Sequence, residues 1–330
     1  MNPLSSFPKA IVTWLFGLAL ALPGLANAQS AAAYPERPVK IVVPFAPGAG
    51  TDAMGRLVAQ KLGELLGGSF VVENRVGASG AIGTQYVAQQ QADGYTLLLV
   101  ASPFTTVAAS LPAAGYDPLR QFAPVGMIAS GPLVWAANAS LPANNMRELV
   151  ALAKQKPGVL NYGSAGAGGV NHLVLELLKA KTGTFIVHIP YRGVAPATMD
   201  MIAGQVQLVT GTIPALLPFI KDGRVKALAV TSAKRSPALP DVPSMAESGY
   251  AGIDVVNYFA LMAPMGTPAA VIERLNGAIN KLVVLPDVVA RFKQDAVEAA
   301  PGSPALLGHF IEADLRAWRN VVKTQNLTIE

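Results

Sequence analysis

The chain has 330 residues, of which 52% are hydrophobic and 14% are charged, and none is cysteine. The absence of cysteine excludes disulfides, thiolate metal sites and a cysteine nucleophile, so stability must come from core packing. The formal net charge of +5 comes from lysines and arginines that are scattered along the chain. This pattern is typical of a solvated surface, and we expect no nucleic-acid partner.

Residues 1–28 have the pattern of a removable secretory signal peptide. Lys9 precedes an uncharged apolar run over residues 11–22, and Ala26-Asn27-Ala28 offers a small-residue cleavage site. The run is shorter than the roughly 20 residues that span a bilayer, which disfavours a permanent membrane anchor. We therefore expect cleavage after Ala28 and an exported mature protein that starts at Gln29.

The first predicted unit after the signal is a strand over residues 39–45, a glycine turn over 48–50 and an amphipathic helix. Thr51 or Asp52 is predicted to cap this helix. The apolar positions of the helix are Met54, Leu57, Val58, Leu62 and Leu65. This order of elements is typical of an α/β protein.

The same order recurs along the chain. A strand over residues 70–72 is followed by a glycine turn over 77–80 and a helix that ends near residue 91. Further strands are predicted over residues 95–100, 125–128, 133–137, 160–162, 184–189, 206–209, 225–231 and 255–262, with helices over 146–154 and 170–181 and a helical tail over 269–322.

The length and the order of elements predict two α/β domains with a mostly parallel sheet in each and a ligand cleft between them. Domain 1 is predicted to comprise residues 29–128 and 255–330, and domain 2 residues 129–254. Because the chain leaves domain 1 and returns to it, two crossings connect the domains. Such a double connection suits a hinge that closes over a ligand.

Three glycine-rich turns, over residues 44–52, 77–83 and 163–169, are predicted to lead from a strand into a helix. Each turn offers backbone N–H groups at a helix start, where an anion such as a carboxylate is favoured. The first turn also fits the relaxed dinucleotide pattern G-x-G-x-x-A, with Glu73 about 20 residues beyond. Pro44 and Pro47 stiffen the approach to that turn, which argues against a nucleotide site, and we expect no cofactor.

Ser164 raises the alternative of an exported serine hydrolase. The nucleophile elbow requires glycine two positions before the serine, and Tyr162 stands there instead. His172, His188 and His309 have no metal-binding spacing, so no metal is expected.

Motifs along nearly the whole mature chain resemble those of one family, the Bug or TctC-type periplasmic receptors of the tripartite tricarboxylate transporters. The motifs include Gly48 through Asp52, Val72-Glu73-Asn74-Arg75, Asp93-Gly94-Tyr95-Thr96, Ser164-Ala165-Gly166 and Pro190-Tyr191-Arg192-Gly193. The resemblance implies a two-domain Venus-flytrap fold that holds a ligand carboxylate between the loop after the first strand and the glycine loop of domain 2.

The glycine-turn argument and the resemblance together give a set of expected ligand-binding residues. They are Phe45, Gly48, Ala49, Gly50, Thr51, Asp52, Ser164, Ala165, Gly166, Gly168, His172, Tyr191 and Thr210. The sequence departs from the family pattern at Ala49, Gly169, Gln207, Thr210, Gly211 and Tyr258, where ligand identity is expected to be set.

We therefore expect a monomeric receptor, without catalytic function, for a small carboxylate: a di- or tricarboxylate, an amino acid or an aromatic acid. Its partners would be the membrane permease subunits of a tripartite tricarboxylate transporter. The serine hydrolase, and a sensory receptor for the same ligands, stay open as alternatives.

Overall fold

The computed structural model describes residues 34–111, 114–324 and 327. The predicted signal peptide and its cleavage site lie outside these residues. The chain divides into two units, Met1–Tyr34 and Pro35–Glu330, and every feature described below belongs to the second unit.

Ten strands and ten helices make up the described part of the chain. The strands are β1 Val39–Val43, β2 Phe70–Asn74, β3 Thr96–Ala101, β4 Phe122–Asn138, β5 Asn161–Ser164, β6 Val187–Pro190, β7 Leu208–Thr212, β8 Val225–Val230, β9 Val256–Pro264 and β10 Glu298–Ala299. The helices are α1 Gly50–Leu66, α2 Ala81–Ala88, α3 Pro103–Ser110, α4 Met146–Gln155, α5 Val170–Thr182, α6 Val194–Ile202, α7 Ile213–Lys221, α8 Ala269–Leu282, α9 Pro286–Gln294 and α10 Pro304–Thr324.

The strands form two half-sheets that share β4. In the order β2-β1-β3-β9-β4, with β10 on the other side of β4, they form the first lobe. In the order β4-β7-β5-β6, with β8 on the other side of β4, they form the second lobe. Each half-sheet is buried between helices, which confirms the α/β class.

β4 is a single strand of 17 residues where the sequence predicts two strands. Pro132 pairs with Val256 of β9, and the next residue, Leu133, pairs with Thr212 of β7. The predicted break fell at Gly131-Pro132, where the backbone instead stays extended. A Cβ on Gly131 would lie 2.5 Å from the Ala296 carbonyl oxygen, so only glycine fits here without displacement.

The half-sheets are mixed, and the prediction of mostly parallel sheets needs correction. Parallel pairing joins β2, β1 and β3 in one lobe, and β6, β5 and β7 in the other. β4 leaves the first lobe and β9 returns to it alongside, so these two strands run antiparallel. The double connection between the lobes therefore accounts for the β4–β9 pair. β7, β8 and β10 also pair antiparallel with β4, and β9 with β3.

Three helices, α3, α6 and α7, were not predicted from the sequence. They have eight or nine residues each and contain proline, Pro103 at the start of α3 and Pro218 within α7. So few residues give little periodic signal, and proline is usually interpreted as a break.

The C-terminal helix α10 contributes to the cores of both lobes. Leu307 and Ile311 pack with Val42 and Leu98 of the first lobe. Trp318, two turns further along the helix, packs in the second core together with residues such as Leu149, Leu173 and Leu228. The helical tail was expected to pack on the first domain, and its last turns reach beyond it.

Candidate functional site

The first candidate anion-binding element is the loop that joins β1 to α1. Gly48 has φ of 82°, in the left-handed region, and Ala49 serves as the N-cap of α1 without any side-chain cap. The predicted capping by Thr51 or Asp52 is therefore wrong. The backbone N–H groups of Gly50, Thr51 and Asp52 have no partner among the described residues. This helix start is consequently free to bind an anion.

The buried Asp52 carboxylate stabilises this loop through hydrogen bonds. It is 3% exposed and accepts hydrogen bonds from the Gly48 backbone at 2.9 Å, from Arg56 Nε at 3.0 Å and from Asn74 Nδ2 at 2.8 Å. Burial by itself would raise the pKa of Asp52, but these hydrogen bonds lower it to about 2. Asp52 is thus ionised at neutral pH and stabilises the loop shape.

The second candidate element is the loop that joins β5 to α5. Gly166 and Gly168 have φ of 129° and 75°, and Gly169 serves as the N-cap of α5 without a side-chain cap. By contrast, α4 lies elsewhere in the second lobe and is capped by Asn145, whose side chain accepts from the Glu148 N–H. A start without a side-chain cap is also found in α2, α3 and α6 to α9. α1 and α5 combine it with a preceding glycine loop that lies at the end of a parallel strand in each lobe.

A buried polar cluster lies beneath the second loop. The Ser164 hydroxyl lies 2.6 Å from Nε2 of His188 and accepts from the Gly166 N–H at 3.1 Å. The ring of His188 stacks on that of His172 at a centroid distance of 3.9 Å. Nδ1 of His172 accepts from the Gly168 N–H at 3.1 Å. His172 therefore supports the glycine loop directly through its backbone, and His188 supports it through the Ser164 hydroxyl.

Both imidazoles of the cluster are neutral at physiological pH. Burial, followed by repulsion from Lys179, lowers the pKa of His172 to about 4. Burial, followed by repulsion from His172, lowers the pKa of His188 to about 4. The neutral form is required because Nδ1 of His172 must stay unprotonated to accept the loop N–H.

The loop that joins β5 to α5 approaches the first lobe at the turn over residues 77–80, which in turn lies against Phe45. A Cβ on Gly80 would lie 3.3 Å from Cζ of Phe45, and a Cβ on Gly166 would lie 3.8 Å from both Ser79 Oγ and the Tyr191 carbonyl oxygen. Phe45 and Ser79 belong to the first lobe, and Gly166 and Tyr191 belong to the second. These four residues therefore lie near one another where the two lobes meet.

The expected ligand residues divide into two groups by exposure. Phe45, Gly48, Ala49, Gly50, Thr51, Ala165, Gly166 and Tyr191 are half-buried or exposed along the loops. The side chains of Asp52, Ser164, His172 and Thr210 are buried, at most 6% exposed. Gly168 is also buried, and its carbonyl accepts from Ser110 of α3 at 3.3 Å. The buried residues therefore lie beneath the loops and stabilise their shape.

Tyr258, expected to influence ligand identity, is fully buried in the first core, where its hydroxyl contacts Thr105 at 3.1 Å.

Ser79 is a residue near the second loop that the sequence analysis does not predict. It has φ of 52° between Ala78 at 47° and Gly80 at 98°. Left-handed non-glycine residues are often found at functional sites. In the sequence, the Gly77-Ala78-Ser79-Gly80 turn is marked by its glycines, and these do not indicate a role for Ser79.

The structure also bears on the rival functions. Glu73, the acidic residue of the dinucleotide pattern, forms ion pairs with Lys40 and Arg75. Its carboxylate is therefore already paired within the protein. Ser164 has a histidine partner, as a hydrolase would need, but the serine is 1% exposed. Among the described residues, no carboxylate hydrogen-bonds His188 and no cluster of ligands suited to a metal ion is present. Nor is any helix in the described ranges long and apolar enough to cross a membrane.

Two α/β lobes joined by a double crossing are the architecture of a two-lobed solute-binding protein. Comparison with known proteins supports this class. The family described as "Tripartite tricarboxylate transporter family receptor" matches residues 54–327. The chain therefore belongs to this family of periplasmic solute-binding receptors, which confirms the resemblance noted in the sequence.

Individual relatives agree with this assignment. The protein BugT of Bordetella pertussis is 38% identical over 311 residues, covering 94% of this chain and 95% of BugT. The periplasmic binding protein BugD is 36% identical with a TM-score of 0.78, covering 90% of this chain and 100% of BugD.

Two solved structures are of relatives with a bound ligand. Rpa4515 of R. palustris, solved with adipate, is 36% identical with a TM-score of 0.81, covering 89% of this chain and 99% of that one. MatC of Rhodopseudomonas palustris, solved with malate, is 29% identical with a TM-score of 0.78, covering 88% of this chain and 100% of MatC.

Proposed function

We propose that this receptor captures a small carboxylate, with an aliphatic dicarboxylate as the first candidate, in the cleft between its lobes. The observation that carries the proposal is the pair of glycine loops, one in each lobe, that lead into helix starts without a side-chain cap, α1 in the first lobe and α5 in the second. Each offers backbone N–H groups and a partial positive charge to an anion. Adipate and malate, bound by two relatives, are dicarboxylates and support this choice.

In the proposed mode of binding, one carboxylate lies at the start of α1, where Gly50 and Thr51 donate from the backbone. The loop of the second lobe then closes over the ligand through Ala165 and Gly166. Phe45 and Tyr191 are half-buried aromatic residues beside the cleft and supply its apolar walls. The buried Asp52 and His172 keep the two loops in binding shape without contacting the ligand.

The physiological role that follows is delivery of the carboxylate to the membrane permease subunits of a tripartite tricarboxylate transporter. We further propose cleavage of the signal peptide after Ala28, and domain boundaries near residues 128 and 255. Pairing along β4 supports boundaries of this kind, because its partners change from β9 to β7 at Leu133.

The test is a ligand screen on the exported protein, purified from periplasm and then unfolded and refolded to remove bound solute. Thermal shifts would be measured with succinate, malate, adipate, citrate, glutamate and benzoate, and hits confirmed by calorimetry. We expect a shift of several degrees with at least one dicarboxylate, since a ligand at 100 times its Kd adds about 2.7 kcal/mol. The absence of a shift with every carboxylate would contradict the proposal.

A second candidate function, ester hydrolysis, rests on the 2.6 Å contact between Ser164 and His188. It predicts turnover of 4-nitrophenyl acetate that disappears in Ser164→Ala. We expect no such turnover, because a nucleophile must reach its substrate and this hydroxyl is buried.

A further inference from the structure

A cavity of about 510 Å³ lies where the two lobes join and contains none of the glycine-loop residues. Lys293, Val297 and Glu298 of the first lobe line one side, and the segment from Ser232 to Ala238, which follows β8, lines the other. A smaller cavity of about 90 Å³, which Gly50 lines, shares the residues Gly131, Pro132, Ala296 and Val297 with it. The two cavities are therefore separate spaces that share one wall, formed by these four residues.

The volume and lining of this cavity are those of a small-molecule site. Such sites typically occupy about 300–1,000 Å³ and combine apolar walls with a few polar groups. The half-buried residues Val256, Ala238 and Val297 supply apolar surface. The charged residues of the lining are Lys234, Arg235, Lys293 and Glu298.

The charged side chains of the lining favour an anion. Lys234 and Lys293 are exposed, and among the described residues neither ammonium group forms an ion pair or a hydrogen bond. Arg235 is already balanced, because Glu247 accepts from its Nε at 3.0 and 2.9 Å. Glu298 is the single acidic residue of the lining. Two unpaired positive charges thus face one negative charge.

We propose that this cavity binds a small amphipathic anion, a carboxylate or sulfonate with an aromatic or aliphatic body. The apolar body would pack against Val256 and Ala238, and the acidic group would lie at the rim near Lys234 and Lys293. This site is additional to the carboxylate cleft and does not depend on the ligand bound there.

The test uses a fluorescent probe, 8-anilinonaphthalene-1-sulfonate, and its uncharged analogue N-phenyl-1-naphthylamine, titrated into the purified exported protein. We expect one-to-one binding of the sulfonate. The double variant Lys234→Gln, Lys293→Gln should weaken it about fivefold to tenfold, as expected for two exposed charge pairs. Glu298→Gln should tighten it about twofold, and neither change should affect the uncharged analogue.

Two further variants make the result specific to this cavity. The matched control Lys154→Gln, Lys156→Gln removes two exposed lysines from the region of α4 and should leave both probes unaffected. Ala238→Trp fills the cavity and should abolish binding of both, with its fold checked by circular dichroism and thermal unfolding.

Equal weakening in the α4 control would show general attraction by surface charge and would overturn the proposal. Sulfonate binding that survives both the Lys234, Lys293 double variant and Ala238→Trp would overturn it as well. So would binding that disappears only when the cleft is blocked by Gly50→Val, because the probe would then occupy the cleft.

Discussion

At the scale of single residues, the candidate site depends on backbone groups that only small side chains leave accessible. Gly50 begins α1 and is exposed, and a Cβ built on it meets nothing within 4 Å. Gly48, which precedes it, has a positive φ, so substitution there would also strain the loop. Gly50 is therefore the position at which ligand binding can be changed without changing the fold.

We predict that Gly50→Val weakens carboxylate binding at least tenfold, because its side chain would cover the N–H groups at the start of α1. Calorimetric titration with the best ligand from the screen measures this effect. The matched control is Gly277→Val in α8, also an exposed glycine with open space around it and no positive φ. Both variants should keep the wild-type unfolding temperature within a few degrees. Equal affinity of Gly50→Val and wild type would place the carboxylate elsewhere.

At the scale of secondary-structure elements, β4 is the strand on which the lobe arrangement depends. It carries β9 and β10 in one half and β7 and β8 in the other. Gly131 lies at the change of partners, in contact with the turn that ends α9. That turn places Ala296 in the left-handed region, with φ of 53°, and the Val297 N–H donates to the Phe292 carbonyl at 3.0 Å.

We predict that Gly131→Ala destabilises the protein by about 1–3 kcal/mol, the usual effect of overpacking. The added methyl would lie 2.5 Å from the Ala296 carbonyl oxygen, and backbone must move to relieve that contact. Urea unfolding measures the loss. The comparison variant is Gly308→Ala within α10, where the nearest atom would be at an ordinary 3.5 Å. Helix propensity predicts a gain there of about 0.5–1 kcal/mol. A neutral Gly131→Ala would contradict the tight contact.

At the scale of the whole molecule, acid stability is set by buried titratable groups in both lobes. The pKa values of His172 and His188 are lowered to about 4 in the folded state, whereas unfolded histidines titrate near 6.5. Between these values the unfolded chain binds protons that the folded protein does not. Asp314 acts in the opposite direction, because burial raises its pKa to about 6.

We predict that the free energy of unfolding falls as pH decreases from 6.5 to 4, by about 2–4 kcal/mol for the histidine pair. Asp314 offsets part of this loss, because its folded form retains a proton in this range and favours the folded state at lower pH. Asp314→Asn should therefore steepen the dependence, and the double variant His172→Gln, His188→Gln should flatten it. Urea unfolding at half-unit pH steps measures the curves. A slope unchanged by the double variant would contradict the assignment of neutral histidines.

A second loss of stability is expected at lower pH. Asp52 has a pKa of about 2 in the folded state against an ordinary value of 3.8. Its contribution is complete above pH 4 and is lost as the pH falls towards 2. Because this loss lies below that of the histidines, the two can be distinguished along one curve.

The amino-acid sequence is enough to predict the α/β class, most strand and helix positions and the glycine loops that begin α1 and α5. These features are local, since periodicity marks buried faces and glycine marks turns with positive φ. The recognised motifs also gave the family, because their order and spacing survive substitutions elsewhere.

Folding, in contrast, determines which residues are exposed along the loops and which are buried beneath them. Asp52 and His172 occur in the same motifs as Gly50 and Gly166, yet their side chains are buried. Ser79 lies opposite Gly166 although 87 positions separate them in the chain. The continuity of β4 through Gly131-Pro132 likewise depends on distant partners. Sequence patterns report local preference, whereas burial, pairing and charge balance depend on residues that meet only when the chain has folded.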